Sequence, residues 1–449
     1  MYIKIPSNIE KCISMLVSNG YKGYVVGGCV RDCILGRKPN DWDVCTSANP
    51  KEIKYVFKDY KTIDTGIKHG TITVIINKEF IEITTFRIDG EYSDNRRPDK
   101  VTFTNDIRND LSRRDFTINA MAYNYKDGII DYFNGKEDIN RKIIRCVGNP
   151  EKRFQEDALR IMRALRFMAQ LNYSLDKETL KAIEITKDLI SNVSVERISV
   201  EFNKLILSDV PDHGIRMILD LNIFSLILPE FKSYISNKNM SEGFIDIYIQ
   251  VIRLCPKNLA VRLTVFLHYS INNYKYLQDS KQDIDTKSGD KYKNDIAENI
   301  LKNLKYDNNT IKHVKILMKH YNAIITNEKK SVKKLLKVMG EDLFRQLLSI
   351  KNAERMVCNS SKSNGNIETK DDIQLLLNEI VDKRECYNKK DLMITGNDLI
   401  VLGIKQGKVI GEILDMLVDE VIEKPELNSK RELEIYAKTF YNEIKAKLI

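Results

Sequence analysis

The chain has 449 residues, 43% of them hydrophobic and 30% charged, with a formal net charge of +9. This suits a globular protein with an ordinary core and, at ~100–200 residues per domain, allows two to four domains. It excludes a helical membrane span, since no run approaches the ~18 apolar residues one requires. The mild basicity favours a polyanionic partner without naming one, and fits a solvated lysine-rich surface equally well.

The cysteines at 12, 29, 33, 45, 146, 255, 358 and 386 form no Cys-x-x-Cys. Cys29 and Cys33 lie one helical turn apart, with no second pair to complete a zinc site. Reduced thiols in a cytoplasmic protein are the expectation. The first residues lack the apolar core and small-residue cleavage site of a secretory leader.

Residues 8–145 read as mixed α and β. Tyr24-Val25-Val26 is a short apolar run ending at Gly27-Gly28, and Cys29 to Leu35 has helical spacing, stopped by Gly36 and Pro39. Gly70 to Ile76 and Phe80 to Phe86 read as strands paired through a turn near Asn77-Lys78-Glu79. After Pro150 helical periodicity dominates, as at Leu159, Met162, Leu165 and Phe167, then Phe202, Leu205 and Ile206, then Ile413, Leu414, Leu417 and Val418. The polar stretches Asn272 to Asn294 and Asn359 to Asp371 read as exposed loops or linkers. The fold class is α+β: a small α/β head followed by a long helical body.

The most informative segment is Gly27-Gly28-Cys29-Val30-Arg31-Asp32, followed by Asp41-Trp42-Asp43. Glycines between a strand and a helix let the backbone approach a phosphate, and Arg31, one turn into the helix, can fork onto a triphosphate oxygen. Asp41 and Asp43 alternate, so on a strand they point to one face. Two carboxylates there can hold one or two Mg²⁺ ions. Two such ions, ~4 Å apart, stabilise the attacking and leaving oxygens of an in-line phosphoryl displacement. Glu82, on the later Thr-rich strand, is a candidate third carboxylate or a plain surface glutamate. An Asp-x-Asp alone, or a Gly-Gly alone, is common by chance; the combination after a strand, with an arginine between, is not.

The whole segment from Gly27 to Asp43 resembles the first motif of class II tRNA nucleotidyltransferases and bacterial poly(A) polymerases, members of the DNA polymerase β superfamily. Four further resemblances follow in that family's order. They are Arg113 to Ala120, Asp131 to Asp138 ending at Arg145, Glu156 to Phe167, and Glu196-Arg197-Ile198. The resemblance implies a polymerase-β-like nucleotidyltransferase head with a mixed sheet over residues 1–145. It implies an all-helical neck over 146–214, a body over 215–330 and a tail over 331–449. It makes Asp41 and Asp43 the catalytic and Mg²⁺-binding residues. Gly28, Arg31 and Arg114 then contact the nucleotide, with Asp115 and Asn119 orienting it or its ribose.

Glu156 to Phe167 has helical spacing, with Asp157, Arg160, Arg163 and Arg166 recurring every third residue and Leu159, Met162 and Leu165 burying the flank beside them. In isolation this is an amphipathic helix with a basic solvated face. Cytosine and adenine, however, share an edge with an amino donor beside a ring-nitrogen acceptor, whereas uracil and guanine present the reverse. A carboxylate only accepts and a guanidinium only donates, so an Asp beside an Arg complements C and A. A mispaired buried edge costs ~1–3 kcal/mol per unsatisfied group. The family resemblance gives this template role to Asp157 and Arg160, with Arg163 and Arg166 bracing the base and triphosphate.

Three activities of the family compete: CCA addition to tRNA from CTP and ATP, addition of part of that triplet, and poly(A) synthesis. The polar loop Asp89 to Pro98 resembles the loop of members able to add the terminal A. The mixed charge of Leu433 to Ile449 contrasts with the strongly basic C-terminus of the poly(A) polymerases. Both favour CCA addition to the tRNA 3′ end. Ala260 to Tyr269 resembles the helix ending in His-Asp of HD-type phosphohydrolases, but Tyr269 stands where the metal-binding Asp belongs. Residues 215–330 are therefore expected to be a structural body, with His268 packed rather than ligating. The segment from Asp391 to Leu399, with Gly403, Gly407 and Gly411, resembles tail helices expected to grip tRNA through phosphate contacts. An RNA-binding protein with a decayed head is the alternative from another class.

Overall fold

Apolar residues three and four positions apart make Ser7–Ser18 an amphipathic helix, α1, whose Ile9, Cys12, Ile13 and Leu16 are buried. The chain then alternates strand and helix: β1 Gly23–Val26, α2 Gly28–Ile34, β2 Asp43–Thr46 and α3 Pro50–Val56. β3 Lys61–Gly66, β4 Thr71–Ile76 and β5 Glu79–Thr85 follow, then the hairpin strands β6 Arg87–Asp89 and β7 Val101–Phe103. After α4 Ile107–Ser112 come β8 Met121–Asn124, β9 Gly128–Asp131, α5 Gly135–Arg141 and β10 Ile143–Ile144. This computed structural model describes residues 1–92, 98–228, 242–278, 286–360 and 370–447.

Seven strands form one sheet in the order β3-β4-β5-β2-β1-β8-β9. Only the β2–β5 pair is parallel, so the sheet is mixed, as expected. β4 and β5 pair through the anticipated turn, with Ile76 opposite Glu79 and Asn77 and Lys78 both at positive φ, the backbone of a tight hairpin turn. The interior strand β1, between β2 and β8, is wholly buried. One face of the sheet packs Tyr24, Val26, Cys45 and Ala122 against Ile107 and Leu111 of α4 and Val147.

The helices α6 Pro150–Glu156, α7 Leu159–Leu171, α8 Lys177–Thr186, α9 Val195–Ile206, α10 Asp212–Asp220 and α11 Ile223–Ile227 continue the chain, with a two-residue strand β11 Ser174–Leu175 pairing in parallel with β10. α7 is the axis of this region and packs on α9 and α10. A Cβ on Gly214 of α10 would stand 2.9 Å from the Leu165 carbonyl oxygen, so glycine permits the close crossing. The expected continuous helix from Glu156 to Phe167 is broken. Asp157 is extended, at φ −147° and ψ 101°, and its Oδ1 accepts from the Leu159 N–H. A short acidic side chain that bonds the backbone two residues on competes with helix continuation.

The remaining helices among the described residues are α12 Glu242–Leu254, α13 Leu259–Gln278, α14 Thr286–Asn303, α15 Asn308–Lys319, α16 Lys329–Met339, α17 Glu341–Ser360, α18 Lys370–Asp382, α19 Gly396–Val401, α20 Lys408–Glu423 and α21 Lys430–Lys447. The expectation of a loop from Asn272 to Asn294 is corrected, because α13 and α14 run into it from both sides. Its Lys, Gln and Tyr residues tolerate a helix, and polarity alone did not distinguish an exposed helix from a linker. Most of Asn359 to Asp371 lies outside the described residues. Among the described residues no helix is long and apolar enough to cross a membrane.

The chain forms two compact units: residues 1–245 with 300–305, and residues 246–299 with 306–449. In the second, His268 is buried and stacks on Tyr321 at 3.5 Å between ring centroids, and burial pushes its pKa down to about 3. Tyr269 and Tyr321 both donate to the Glu354 carboxylate. The lysines of α16 pair with acids: Lys329 with Glu379 and Glu385, Lys333 with Glu385, Lys330 and Lys334 with Glu423 and Lys337 with Asp419.

Candidate active site

Between β1 and α2 the chain turns at Gly27, with φ 85° and ψ −130°, a conformation that L side chains avoid. A Cβ on Gly27 would stand 3.1 Å from Arg114 Nη1, and one on Gly28 3.6 Å from Arg31 Nη2. Two guanidiniums therefore converge on the turn, in space the missing side chains leave open. The sequence expected Arg31 there, from its place one turn into α2.

Asp43 opens β2 and pairs across the sheet with Val26, the last residue before the turn. This register sets the carboxylate strand beside the glycines. Asp41 lies two residues earlier, in the lead-in to β2 rather than on the strand itself. The expectation that both aspartates sit on one strand is thus corrected: β2 starts only where pairing with β1 begins. The two carboxylates nevertheless feel each other. The Asp43 side chain is exposed, yet the protein packed around it raises its pKa; Arg114 pulls the other way, and the charge of Asp41 adds to the rise. Glu82 stands on β5 one residue before Ile83, the partner of Val44, so β2 and β5 run side by side there. Among the described residues no three of the usual metal-binding side chains are gathered closely enough to hold an ion.

Arg113 and Arg114 follow α4, and a buried acid from that helix holds both. Asp110 Oδ1 accepts from Arg113 Nη2 at 2.8 Å, and its Oδ2 accepts from Arg114 Nη2 at 3.2 Å. Burial alone would raise the Asp110 pKa, but the two arginines outweigh it and lower it. Among the described residues, Arg114 Nε is buried without a hydrogen-bond partner. Asp115 and Asn119 turn out to brace arginines. Asn119 Oδ1 accepts from Arg31 Nη1 at 2.6 Å while its Nδ2 donates to Asp115 at 3.1 Å. Asp115 Oδ2 in turn accepts twice from Arg163, at 2.8 and 2.5 Å. These bonds hold the Asp115 carboxyl well below the usual carboxylate range, against the effect of its burial.

The basic residues of α7 do not form a solvated face. Arg160 and Arg166 are 9% and 7% exposed, while Met162 and Leu165 are fully buried. Arg166 lies over the Phe167 ring at 4.1 Å and pairs with Glu201 of α9 at 2.9 Å. The Phe167 ring in turn meets Phe116 edge to face at 5.7 Å, which ties α7 to the segment bearing Arg114. Asp157 and Arg160 each have another partner. Asp157 takes a two-pronged bond from Arg197 at 2.9 and 3.3 Å. Arg160 donates to Glu156 at 2.7 Å and to the carbonyl oxygens of Arg153 and Arg113 at 2.9 and 3.1 Å. Both template candidates are thus fixed in place before any base arrives.

The sequence reading missed Asp110 and Glu201 and gave no role to Arg197. Asp110 stands three and four residues before two arginines, a helical ion-pair spacing that could have flagged it. Glu201 and Arg197 meet partners from α7 and the break before it across more than thirty residues, with no local signal.

Three family models match the chain: the poly A polymerase head domain over residues 23–145, the RNA and SrmB-binding site of polymerase A over 172–235, and tRNA nucleotidyltransferase domain 2 over 290–437. The CCA-adding enzyme of Ligilactobacillus salivarius is 34% identical over 98% of both chains. That of Oceanobacillus iheyensis is 42% identical over 60% of this chain and 67% of its own. Among solved structures, the Bacillus stearothermophilus CCA-adding enzyme in complex with CTP aligns with a TM-score of 0.72, 26% identity and 98% coverage of both chains. The Thermotoga maritima CCA-adding enzyme complexed with tRNA shares the fold, with a TM-score of 0.62, 21% identity and coverage of 96% and 94%.

Proposed function

The chain belongs to the family of CCA-adding enzymes, and from that premise we propose that it adds C, C and A without a nucleic-acid template to the 3′ end of tRNA, using CTP and ATP and releasing pyrophosphate. The observation that carries the reading is the convergence at one turn of Gly27-Gly28, two unpaired aspartates and two guanidiniums. Residues 1–145 act as catalytic head, 146–214 as base-selecting neck, and 215–330 and 331–449 as body and tRNA-binding tail.

Asp41 and Asp43 suit a divalent cation. Neither side chain has a hydrogen bond or ion pair among the described residues. The protein packed around Asp43 raises its pKa and the charge of Asp41 adds to the rise, a repulsion that a cation relieves. We assign them to Mg²⁺, which when bound supplies Lewis acidity to the 3′-hydroxyl and the α-phosphate. The chain's own groups do the rest. The open backbone at Gly28, with Arg31, receives the triphosphate, and Arg114, with its unsatisfied buried Nε, receives the ribose–phosphate region. Asp157 accepts from the exocyclic amino group of C or A and Arg160 donates to the adjacent ring nitrogen, while Arg163 and Arg166 brace the site. The 3′-oxygen attacks the α-phosphorus in line. The bond from that phosphorus to the bridging oxygen breaks, pyrophosphate departs, and the hydroxyl proton passes to solvent.

The eight cysteines are free, which supports a cytoplasmic setting. Incubation with Mg²⁺, CTP, ATP and tRNA lacking its 3′ end tests the proposal. Arrest after CCA is the expected product. Long A tracts on unrelated RNA would identify a poly(A) polymerase, and no incorporation would leave an RNA-binding protein.

A further inference from the structure

We propose that Asp110 is a positioning residue for the incoming nucleotide, acting through Arg113 and Arg114; this rests on the reading of Arg114 as a nucleotide contact. The Asp110 side chain is 0% exposed. A carboxylate in such a place is costly, and packing alone would be served by an apolar residue of similar size. Its donors explain its presence. Arg113 approaches with Nε at 3.1 Å and Nη2 at 2.8 Å, Arg114 with Nη2 at 3.2 Å, and the Arg87 backbone N–H at 3.4 Å.

Each arginine carries the effect to a different part of the site. With Nη2 fixed by Asp110, Arg114 presents Nη1 to the Gly27 turn and acts on Asp43. Held by the same carboxylate, Arg113 turns its own carbonyl oxygen toward Arg160 Nη2 at 3.1 Å. One buried acid thus sets both the arginine at the phosphate turn and an anchor of the arginine assigned to the base. Arg87, Arg113 and Arg114 share the two acids Asp89 and Asp110.

A double-mutant cycle separates positioning from general stabilisation. The full chain extends tRNA lacking its 3′ end, and KM and kcat for CTP are measured for wild type, Asp110→Asn, Arg114→Ala and the double variant. Asp110→Asn is expected to raise KM for CTP about tenfold, the effect of one charge-assisted hydrogen bond misplaced, with a smaller change in kcat. The double variant is expected to lose clearly less than the sum of the two single losses, keeping only the part that Asp110 exerts through Arg113. Unchanged KM in Asp110→Asn, or additive losses in the double variant, would overturn the inference. Should Asp110→Asn not fold, Asp110→Glu enters the same cycle and is read in the same way. An Arg114→Ala variant that binds CTP normally would instead refute the nucleotide reading of Arg114 itself.

Discussion

Asp115→Asn isolates the bond network beneath the site. Asp115 is 8% exposed and accepts from the Phe116 N–H at 2.8 Å, from Asn119 at 3.1 Å and twice from Arg163. Asparagine keeps one oxygen for the first two donors but turns an amide N–H₂ toward the guanidinium. Breaking a buried ion pair costs ~3–5 kcal/mol. The Arg163 side chain is 33% exposed, so water recovers part of the loss and about 3 kcal/mol is the expected cost. At ~2–4 °C per kcal/mol, the thermal transition of the unit holding the head falls by about 6–12 °C, measured by calorimetry. The pH dependence follows from the depressed folded pKa. The carboxylate's stabilisation is complete above the unfolded value of about 4 and is lost as pH falls toward the folded value. The gap between wild type and variant is therefore constant from pH 8 to 5 and closes below pH 4. A shift under about 2 °C, or a gap that narrows between pH 8 and 5, would refute this account of the network.

Gly27→Ala places a Cβ against Arg114 Nη1 at a positive-φ position; about 1 kcal/mol of backbone strain is expected, and KM for both nucleotides should rise more than that cost predicts, as read by steady-state extension. Asp157→Ala removes the acceptor assigned to the exocyclic amino group and frees Arg197. UTP and GTP should then compete with CTP and ATP in mixed-nucleotide assays, and unchanged discrimination would reduce Asp157 to a brace for Arg197.

Much of the site was legible where the signal is local. The glycine turn, Arg31 and the hairpin at Asn77-Lys78 follow from residues within one turn of each other. The register that sets Asp43 opposite Val26 could not be read, because strand pairing is a long-range choice, and so Asp41 was assigned to a strand that begins after it. Asp157 was read as helical because spacing records which residues share a face but not where a side chain captures the backbone. The buried acids escaped for a related reason. An aspartate such as Asp110 looks like any surface carboxylate until the arginines that neutralise it are placed in space.

The most direct measurement is Mn²⁺ binding by electron paramagnetic resonance with CTP present, in wild type and in Asp41→Ala and Asp43→Ala, alongside tRNA binding by gel shift. Either substitution should abolish the bound Mn²⁺ signal and nucleotide addition while tRNA affinity holds. Bound Mn²⁺ that survives both substitutions would place the cation elsewhere and contradict the account.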